Sequence, residues 1–138
     1  MKKDETIAVG VGAVVFRKNE VLLVKRGKAP LLGQWSIPGG GLHHGERLED
    51  AVAREVREET TIEIRVIGLI NVFEALPYSA SGERHYLMID YAAEWVAGEP
   101  VAGDDAAEAE FVSIDEAKTR LEWDETRKAL EMALAMRP

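Results

Sequence analysis

Residues 38–62 read PGGGLHHGERLEDAVAREVREETTI and carry the strongest signals in the chain. Within this stretch, Glu55, Glu58 and Glu59 stand three and four positions apart. If Leu48–Thr60 is helical, that spacing places the three carboxylates on one face, about one turn long. Like charges at this spacing repel each other and destabilise an ordinary surface helix. The arrangement therefore predicts a divalent cation bound between the three carboxylates.

An apolar stripe beside the acidic face supports the helix. Its members recur at helical spacing and are Leu48, Val52, Ala53 and Val56. We therefore expect one face of the helix to pack against a core while the neighbouring face binds a ligand. The alternative for the whole segment is a solvated helix whose charged residues pair with one another.

The loop before the helix is rich in glycine, which tolerates positive φ and lets a ligand approach the backbone closely. We expect this loop to curl around the site, with the Gly40 carbonyl completing a shell of hard oxygen ligands. Mg²⁺ or Mn²⁺ prefers such a shell. Glu46 and Arg54 are predicted to be structural supports. Glu46 lies near the helix start, where a carboxylate accepts free backbone N–H groups, and Arg54 can pair with Glu46 or Glu58.

The pattern G-x5-E-x7-R-E-V-x-E-E-x-T-I over residues 40–62 resembles the signature box of the Nudix hydrolases. One fixed position departs from it, because Thr61 stands where the family has glycine, so a β-branched residue must make the turn that ends the helix. The resemblance extends upstream through GQWSIPGG. It implies an α+β fold, an α/β/α sandwich around a mixed β-sheet. It also implies metal-dependent cleavage of pyrophosphate bonds in nucleoside diphosphates linked to another group.

Composition sets broader limits on the chain. Its 138 residues, 46% of them hydrophobic, suit a single domain spanning residues 1–138. A formal net charge of -8 without a basic patch argues against a nucleic-acid polymer as partner. The absence of cysteine excludes disulfides, thiolate zinc sites and thiol catalysis. No secretory or membrane-spanning stretch is evident, which predicts no membrane partner and a cytoplasmic location; similar proteins suggest a homodimer.

The rest of the chain is predicted to form strands and two further helices. Runs rich in β-branched and aromatic residues predict strands over 7–17, 21–25, 62–73, 85–95 and 109–114. A short turn at 18–20 joins the first two. Ser113 or Asp115 is expected to cap a short helix that runs through Leu121, and a final helix is expected to begin at Asp124.

In the expected reaction, water attacks one phosphorus while Glu55, Glu58 and Glu59 hold the cations and contribute to catalysis. The general base remains open. It is either one of these glutamates or Glu108, which lies in the acidic segment AGDDAAEAEF and can equally belong to a solvated loop.

Residues for the rest of the substrate have weaker signals. Arg26 and Arg84 can clamp phosphate or ribose oxygens, although exposed arginines at strand ends usually only add solubility. Tyr78 is a candidate stacking platform for a base, although aromatic residues near strands more often pack. Pro77 and the segment LEWDE at 121–125 resemble the ADP-ribose pyrophosphatase branch. That branch makes ADP-ribose, cleaved to AMP and ribose 5-phosphate, the leading substrate.

Two other functions are compatible with the same sequence. One keeps the chemistry but takes nucleoside triphosphates, in sanitation of the nucleotide pool. The other is a domain of the same shape that senses a nucleotide without cutting it. The complete set of box carboxylates favours hydrolysis over sensing, since a sensor has no need of them.

Overall fold

The computed structural model describes residues 6–28, 32–77, 84–103 and 105–137. In chain order the elements are β1 (Ala8–Arg17), β2 (Glu20–Arg26), β3 (Trp35–Ser36), β4 (Gly39–Gly41), α1 (Leu48–Thr60), β5 (Glu63–Ala75), β6 (Tyr86–Ala97), β7 (Ala106–Ser113), α2 (Ile114–Arg120) and α3 (Asp124–Met136). None of the helices in these ranges has both the length and the apolar character needed to cross a membrane.

The described strands form one mixed sheet whose main path runs β3-β2-β1-β6-β5. The central strands β1 and β6 are parallel, whereas β5 runs antiparallel to β6 and β7 antiparallel to β2. Along its length β1 changes partner. Phe16 and Arg17 pair with β2, but Gly10, Val11 and Gly12 pair with the three glycines of β4. Strand β4 therefore borders β1 at the end of the sheet where the site described below lies.

Helices cover both faces of this sheet, which gives the α+β sandwich that the sequence predicts. Successive side chains of β1 point to opposite faces of the sheet and so pack against different helices. Val11, Ala13 and Val15 are buried in the cluster that includes α1, whereas Val14 and Phe16 are buried in the cluster that includes α2 and α3. Because β1 is apolar on both faces, it lies at the centre of the sandwich.

The sequence predictions for the helices are confirmed. Helix α1 has the predicted bounds, α3 begins at Asp124, and the Ser113 hydroxyl caps α2 by accepting a hydrogen bond from the Glu116 N–H at 3.1 Å. Strand β7 begins at Ala106, earlier than predicted, because its pairing continues along β2 as far as Arg26. The short strands β3 and β4 were not predicted, since two or three residues are too few to show a strand period.

Helix α1 ends at Thr60, and the next residue, Thr61, adopts the left-handed conformation with φ of 63°. A β-branched residue is strained in this region. Two hydrogen bonds hold it there: the Thr61 N–H donates to the Arg57 carbonyl at 2.9 Å, and its hydroxyl donates to the Glu99 carbonyl at 2.8 Å. The hydroxyl hydrogen bond connects the helix end to the segment after β6. Threonine therefore makes a tertiary contact here that glycine could not make.

Substituting Thr61→Gly is expected to change the free energy of unfolding by less than about 1 kcal/mol. Glycine relieves the backbone strain but loses the hydroxyl bond and gains entropy in the unfolded state. Thr61→Val keeps the strain and loses the bond, so it should be the more destabilising change. Urea denaturation of both variants checks this ordering. A larger loss for Thr61→Gly than for Thr61→Val would mean that strain at this turn is negligible.

Candidate functional site

Arg54 lies at the centre of the acidic face of α1 and uses its full hydrogen-bonding capacity. A guanidinium has five N–H donors, and five bonds to described residues engage them. Two go to Glu46, from Nε to Oε2 at 2.6 Å and from Nη2 to Oε1 at 2.9 Å. Nη1 donates to Glu55 Oε1 at 2.7 Å and to Glu58 Oε2 at 3.0 Å, and Nη2 donates to the Gly41 carbonyl at 3.0 Å. Arg54 thus joins the glycine loop to three carboxylates.

The contact with Arg54 lowers the pKa of Glu46 from 4.5 to about 2, and the hydrogen bond from the His43 N–H to Glu46 Oε1 (3.1 Å) acts in the same direction. This differs from the expected mode of support. Glu46 accepts no N–H group from the first turn of α1, and the residue at the helix start, Arg47, makes no side-chain cap. Glu46 instead braces the loop through Arg54, which is the second of the two pairings considered for it.

Glu55 lies directly over the backbone of Gly40. The residue is only 8% exposed, and a Cβ added to Gly40 would lie 2.7 Å from Glu55 Oε1 and closer still to Oε2. Any side chain at position 40 would force the Glu55 carboxylate to move from this position, so glycine allows the close approach. The two residues predicted as neighbouring cation ligands are therefore in contact.

The other two carboxylates are held differently. Glu59 Oε1 accepts a hydrogen bond from the Gly39 N–H at 2.7 Å, which fixes it to the glycine loop. The side chain of Glu58 is 41% exposed and is held only by Arg54 among the bonds described. We refer to Glu55, Glu58, Glu59 and Arg54 as the acidic cluster. It brings the predicted ligand residues to one place, between α1 and β4.

The acidic cluster fits a hard divalent cation in its chemistry. Its donors are carboxylate and carbonyl oxygens, the kind that Mg²⁺ and Mn²⁺ prefer, and the absence of a Cβ at Gly40 leaves Glu55 close to the loop backbone. Within the described ranges, however, no three acidic, histidine or cysteine side chains form a ready-made metal site. Glu58 and Glu59 turn oxygens toward Arg54 and Gly39 instead.

A cavity of about 430 Å³ adjoins the same glycine loop, and we call it the glycine-loop cavity. Glycines of β1 and β4 form part of its wall, and Phe73, Tyr86 and Trp123 supply aromatic surface. Its charged lining residues are Arg26, Glu74, Arg84, Asp90 and Glu125. Both arginines predicted for substrate binding therefore lie at a cavity next to the acidic cluster. That role remains a prediction.

Asp90, Trp123 and Glu125 were not predicted as lining residues. Asp90 lies in the middle of β6 and is 6% exposed, and burial raises its pKa from 3.8 to about 6. A signal was available in the sequence, because Asp90 is the single charged residue in the apolar run YLMIDYAA. A lone acid within a buried strand is costly unless something compensates it.

Replacing Asp90 with asparagine is expected to stabilise the fold in a pH-dependent way. Because the folded protein holds the Asp90 proton more tightly than the unfolded chain, wild-type stability falls as the pH rises from about 4 to about 6. The advantage of Asp90→Asn should therefore grow by on the order of 2–3 kcal/mol between pH 4 and pH 8. Thermal denaturation at both pH values measures it. An equal advantage at both would show that Asp90 ionises normally.

The remaining predicted site residues are less closely connected to the acidic cluster. Glu108 lies on β7 and forms an ion pair with Lys25, with 3.3 Å between Oε2 and Nζ and 56% of its side chain exposed. It does not line the glycine-loop cavity. Its role as general base stays a prediction. Tyr78 lies outside the described residues.

The chain is similar in sequence to known proteins well beyond the residues of the signature box. The family model described as NUDIX domain matches residues 6–133. An ADP-ribose pyrophosphatase of Methanocaldococcus jannaschii is 37% identical over 108 residues, which cover 78% of this chain and 63% of that protein. An 8-oxo-dGDP phosphatase of Danio rerio is 43% identical over 68 residues, 49% of this chain and 21% of that protein. The matched parts thus span less than two thirds of these relatives.

Solved structures show the same similarity in three dimensions. A MutT NUDIX hydrolase from Burkholderia pseudomallei superimposes with a TM-score of 0.78 at 32% identity, covering 93% of this chain and 98% of that one. Because nearly all of both chains is covered, the two share a whole domain and not the signature box alone. The expected sandwich architecture is confirmed.

Proposed function

Because the chain belongs to the NUDIX domain family, we propose that it hydrolyses the pyrophosphate bond of nucleoside diphosphates linked to another group. Nudix hydrolases generally depend on divalent cations, and Mg²⁺ or Mn²⁺ is the proposed cofactor. The observation that carries the proposal is the acidic cluster. Glu55 lies over Gly40, Glu59 accepts a hydrogen bond from the Gly39 N–H, and Arg54 joins Glu55 and Glu58 to the Gly41 carbonyl of the loop.

In the proposed mechanism, Glu55, Glu58, Glu59 and the Gly40 carbonyl would hold the cation. When bound, the cation would lower the pKa of the attacking water and neutralise charge on the phosphate oxygens. Arg54 restrains Glu55 and Glu58 by hydrogen bonds at 2.7 and 3.0 Å, which limits the rotamers they can adopt. Such outer contacts commonly set the orientation of metal ligands, and Arg54 is proposed to have that role.

The glycine-loop cavity is proposed to bind the organic part of the substrate. Its apolar and aromatic wall suits a flat base, and the proposed role of Arg26 and Arg84, which line the same cavity, is to bind phosphate or ribose oxygens. ADP-ribose, cleaved to AMP and ribose 5-phosphate, is the leading substrate. The similarity to the ADP-ribose pyrophosphatase of Methanocaldococcus jannaschii supports it.

A substrate screen tests this function. Purified protein should release AMP from ADP-ribose with Mg²⁺ or Mn²⁺, lose that activity when a chelator is added, and recover it when the cation is restored. Zn²⁺ should serve less well, because the proposed ligands are all oxygen atoms. Hydrolysis of ADP-ribose that persists at full rate in excess chelator would contradict the proposal.

A second candidate keeps the chemistry with a different substrate, and the similarity to an 8-oxo-dGDP phosphatase of Danio rerio favours it. The same screen therefore includes 8-oxo-dGDP and nucleoside triphosphates. Preference for any of these over ADP-ribose by kcat/KM would select the second candidate. Binding of ADP-ribose without hydrolysis of any compound would instead select the sensor hypothesis.

A further inference from the structure

Of the charged residues that line the glycine-loop cavity, Asp90 is the one that is buried. Asp90 faces two neighbouring strands, with Gly12 of β1 on one side and Asn71 of β5 on the other. A Cβ added to Gly12 would lie 2.6 Å from Asp90 Oδ1. The carboxylate therefore extends over Gly12, and both residues line the cavity. Glycine at position 12 is what leaves room for it.

The Asp90 carboxylate is largely buried, but its oxygens keep some accessible surface, because neither is a fully buried atom without a hydrogen-bond partner. Only 6% of the residue is exposed, and no hydrogen bond or ion pair reaches its side chain from any residue that the structure describes. A carboxylate that keeps little water and has no protein donor costs stability, because its lost hydration is not replaced by hydrogen bonds. A ligand that supplies an N–H donor would remove this cost on binding.

The residues around Asp90 indicate which kind of ligand would supply the N–H donor. Phe73, Tyr86 and Trp123 line the same cavity and offer faces on which a flat ring can stack, and arginines at the cavity suit a phosphate. Amino groups on flat rings joined to phosphate are a property of nucleotides. We propose that Asp90 determines specificity by accepting a hydrogen bond from the exocyclic amino group of a nucleobase, adenine in the case of ADP-ribose. This inference rests on the proposed function for placing a nucleotide in the cavity.

The test compares two mononucleotides that differ only at this group, AMP and purine riboside 5′-monophosphate, which lacks the amino group. Titration calorimetry with the wild-type protein should show AMP binding about 10- to 100-fold more tightly, as expected for a hydrogen bond to a charged acceptor. Asp90→Ala should bind the two ligands equally. Asp90→Asn, whose amide oxygen still accepts, should keep part of the preference.

Matched variants make the result specific to the carboxylate. Asp50→Asn removes an exposed negative charge on α1 and should keep the full preference for AMP. Gly12→Ala should lose the preference as Asp90→Ala does, because its methyl group displaces Oδ1. Circular dichroism establishes that each variant is folded, and if Asp90→Ala is not, Asp90→Asn and Gly12→Ala decide the question.

Failure of this inference is separable from failure of the proposed function, because neither ligand contains a pyrophosphate bond. Equal binding of AMP and its analogue by the wild-type protein would overturn the role of Asp90. So would an undiminished preference in folded Asp90→Ala, or no binding of AMP at millimolar concentration. A preference that depends on Asp90 supports the inference even if ADP-ribose is not hydrolysed.

Discussion

Replacing Glu59 with glutamine is expected to lower kcat/KM for pyrophosphate hydrolysis by about 10²- to 10⁴-fold while leaving the fold intact. Glutamine keeps an oxygen that can accept the hydrogen bond from the Gly39 N–H, so the loop should stay in place. What it loses is the negative charge that the proposed cation needs, and cation chemistry is worth several kcal/mol in the transition state. Steady-state kinetics with ADP-ribose and Mg²⁺ measure the effect.

Glu58→Gln should behave in the same way, since Glu58 is the most exposed of the proposed ligands and contributes little to packing. The control is Asp50→Asn, which removes one charge from the first turn of the same helix and lies outside the acidic cluster. We expect it to retain near wild-type activity. Full activity in both glutamine variants, or equal losses in the control, would refute the assignment of cation ligands.

Replacing Arg54 with methionine is expected to lower activity by about 10- to 100-fold. A loss of this size is usual when a residue that orients metal ligands is removed. The substitution removes all five hydrogen bonds that join the loop to Glu46, Glu55 and Glu58. Affinity for Mn²⁺, measured by titration calorimetry, should fall with activity. Arg54→Lys should be intermediate, because it keeps the charge but not the planar fork of donors.

The loss of stability caused by Arg54→Met is expected to depend on pH. Arg54 lowers the pKa of Glu46 in the folded state, so this carboxylate contributes stability above its ordinary pKa of 4.5. That contribution is lost as the pH falls toward 2. The gap in melting temperature between the wild type and Arg54→Met should therefore be largest near neutral pH and narrow in acid.

Arg57→Met is the matched control, because Arg57 lies on the same helix and contacts only Glu63, at 3.8 Å, among the ion pairs described. Its activity and its dependence on pH should stay close to wild type. A gap between wild type and Arg54→Met that widens on acidification would contradict the role given to the Arg54–Glu46 pair.

Helix α1 could be predicted from the sequence because independent local signals agree on it. The apolar positions Val52 and Val56 repeat at helical spacing, acidic residues begin its first turn, and Thr61 occupies the position at which a left-handed residue ends it. Local agreement of this kind fixes the bounds of an element without knowledge of its partners. It also placed Glu55, Glu58 and Glu59 together before any contact was known.

The rest of the site depends on contacts between distant segments, which local patterns do not report. Strand β4 exists because three glycines pair with β1, and the glycine-loop cavity forms where β1, β4 and β6 meet. Asp90 becomes significant only because Gly12, far away in sequence, lies beside it. Of the two contacts predicted for Glu46, the pairing with Arg54 forms and the hydrogen bond to the first turn of the helix does not.

A crystal structure of the protein soaked with Mn²⁺, in which anomalous diffraction locates the cation, tests directly whether the acidic cluster binds it. We expect a peak bounded by the carboxylates of Glu55, Glu58 and Glu59 and by the Gly40 carbonyl. Glu58 or Glu59 should then have turned from its present hydrogen-bond partner toward the cation. A protein that hydrolyses its substrate in the presence of Mn²⁺ but shows no anomalous peak at this position would contradict the central claim.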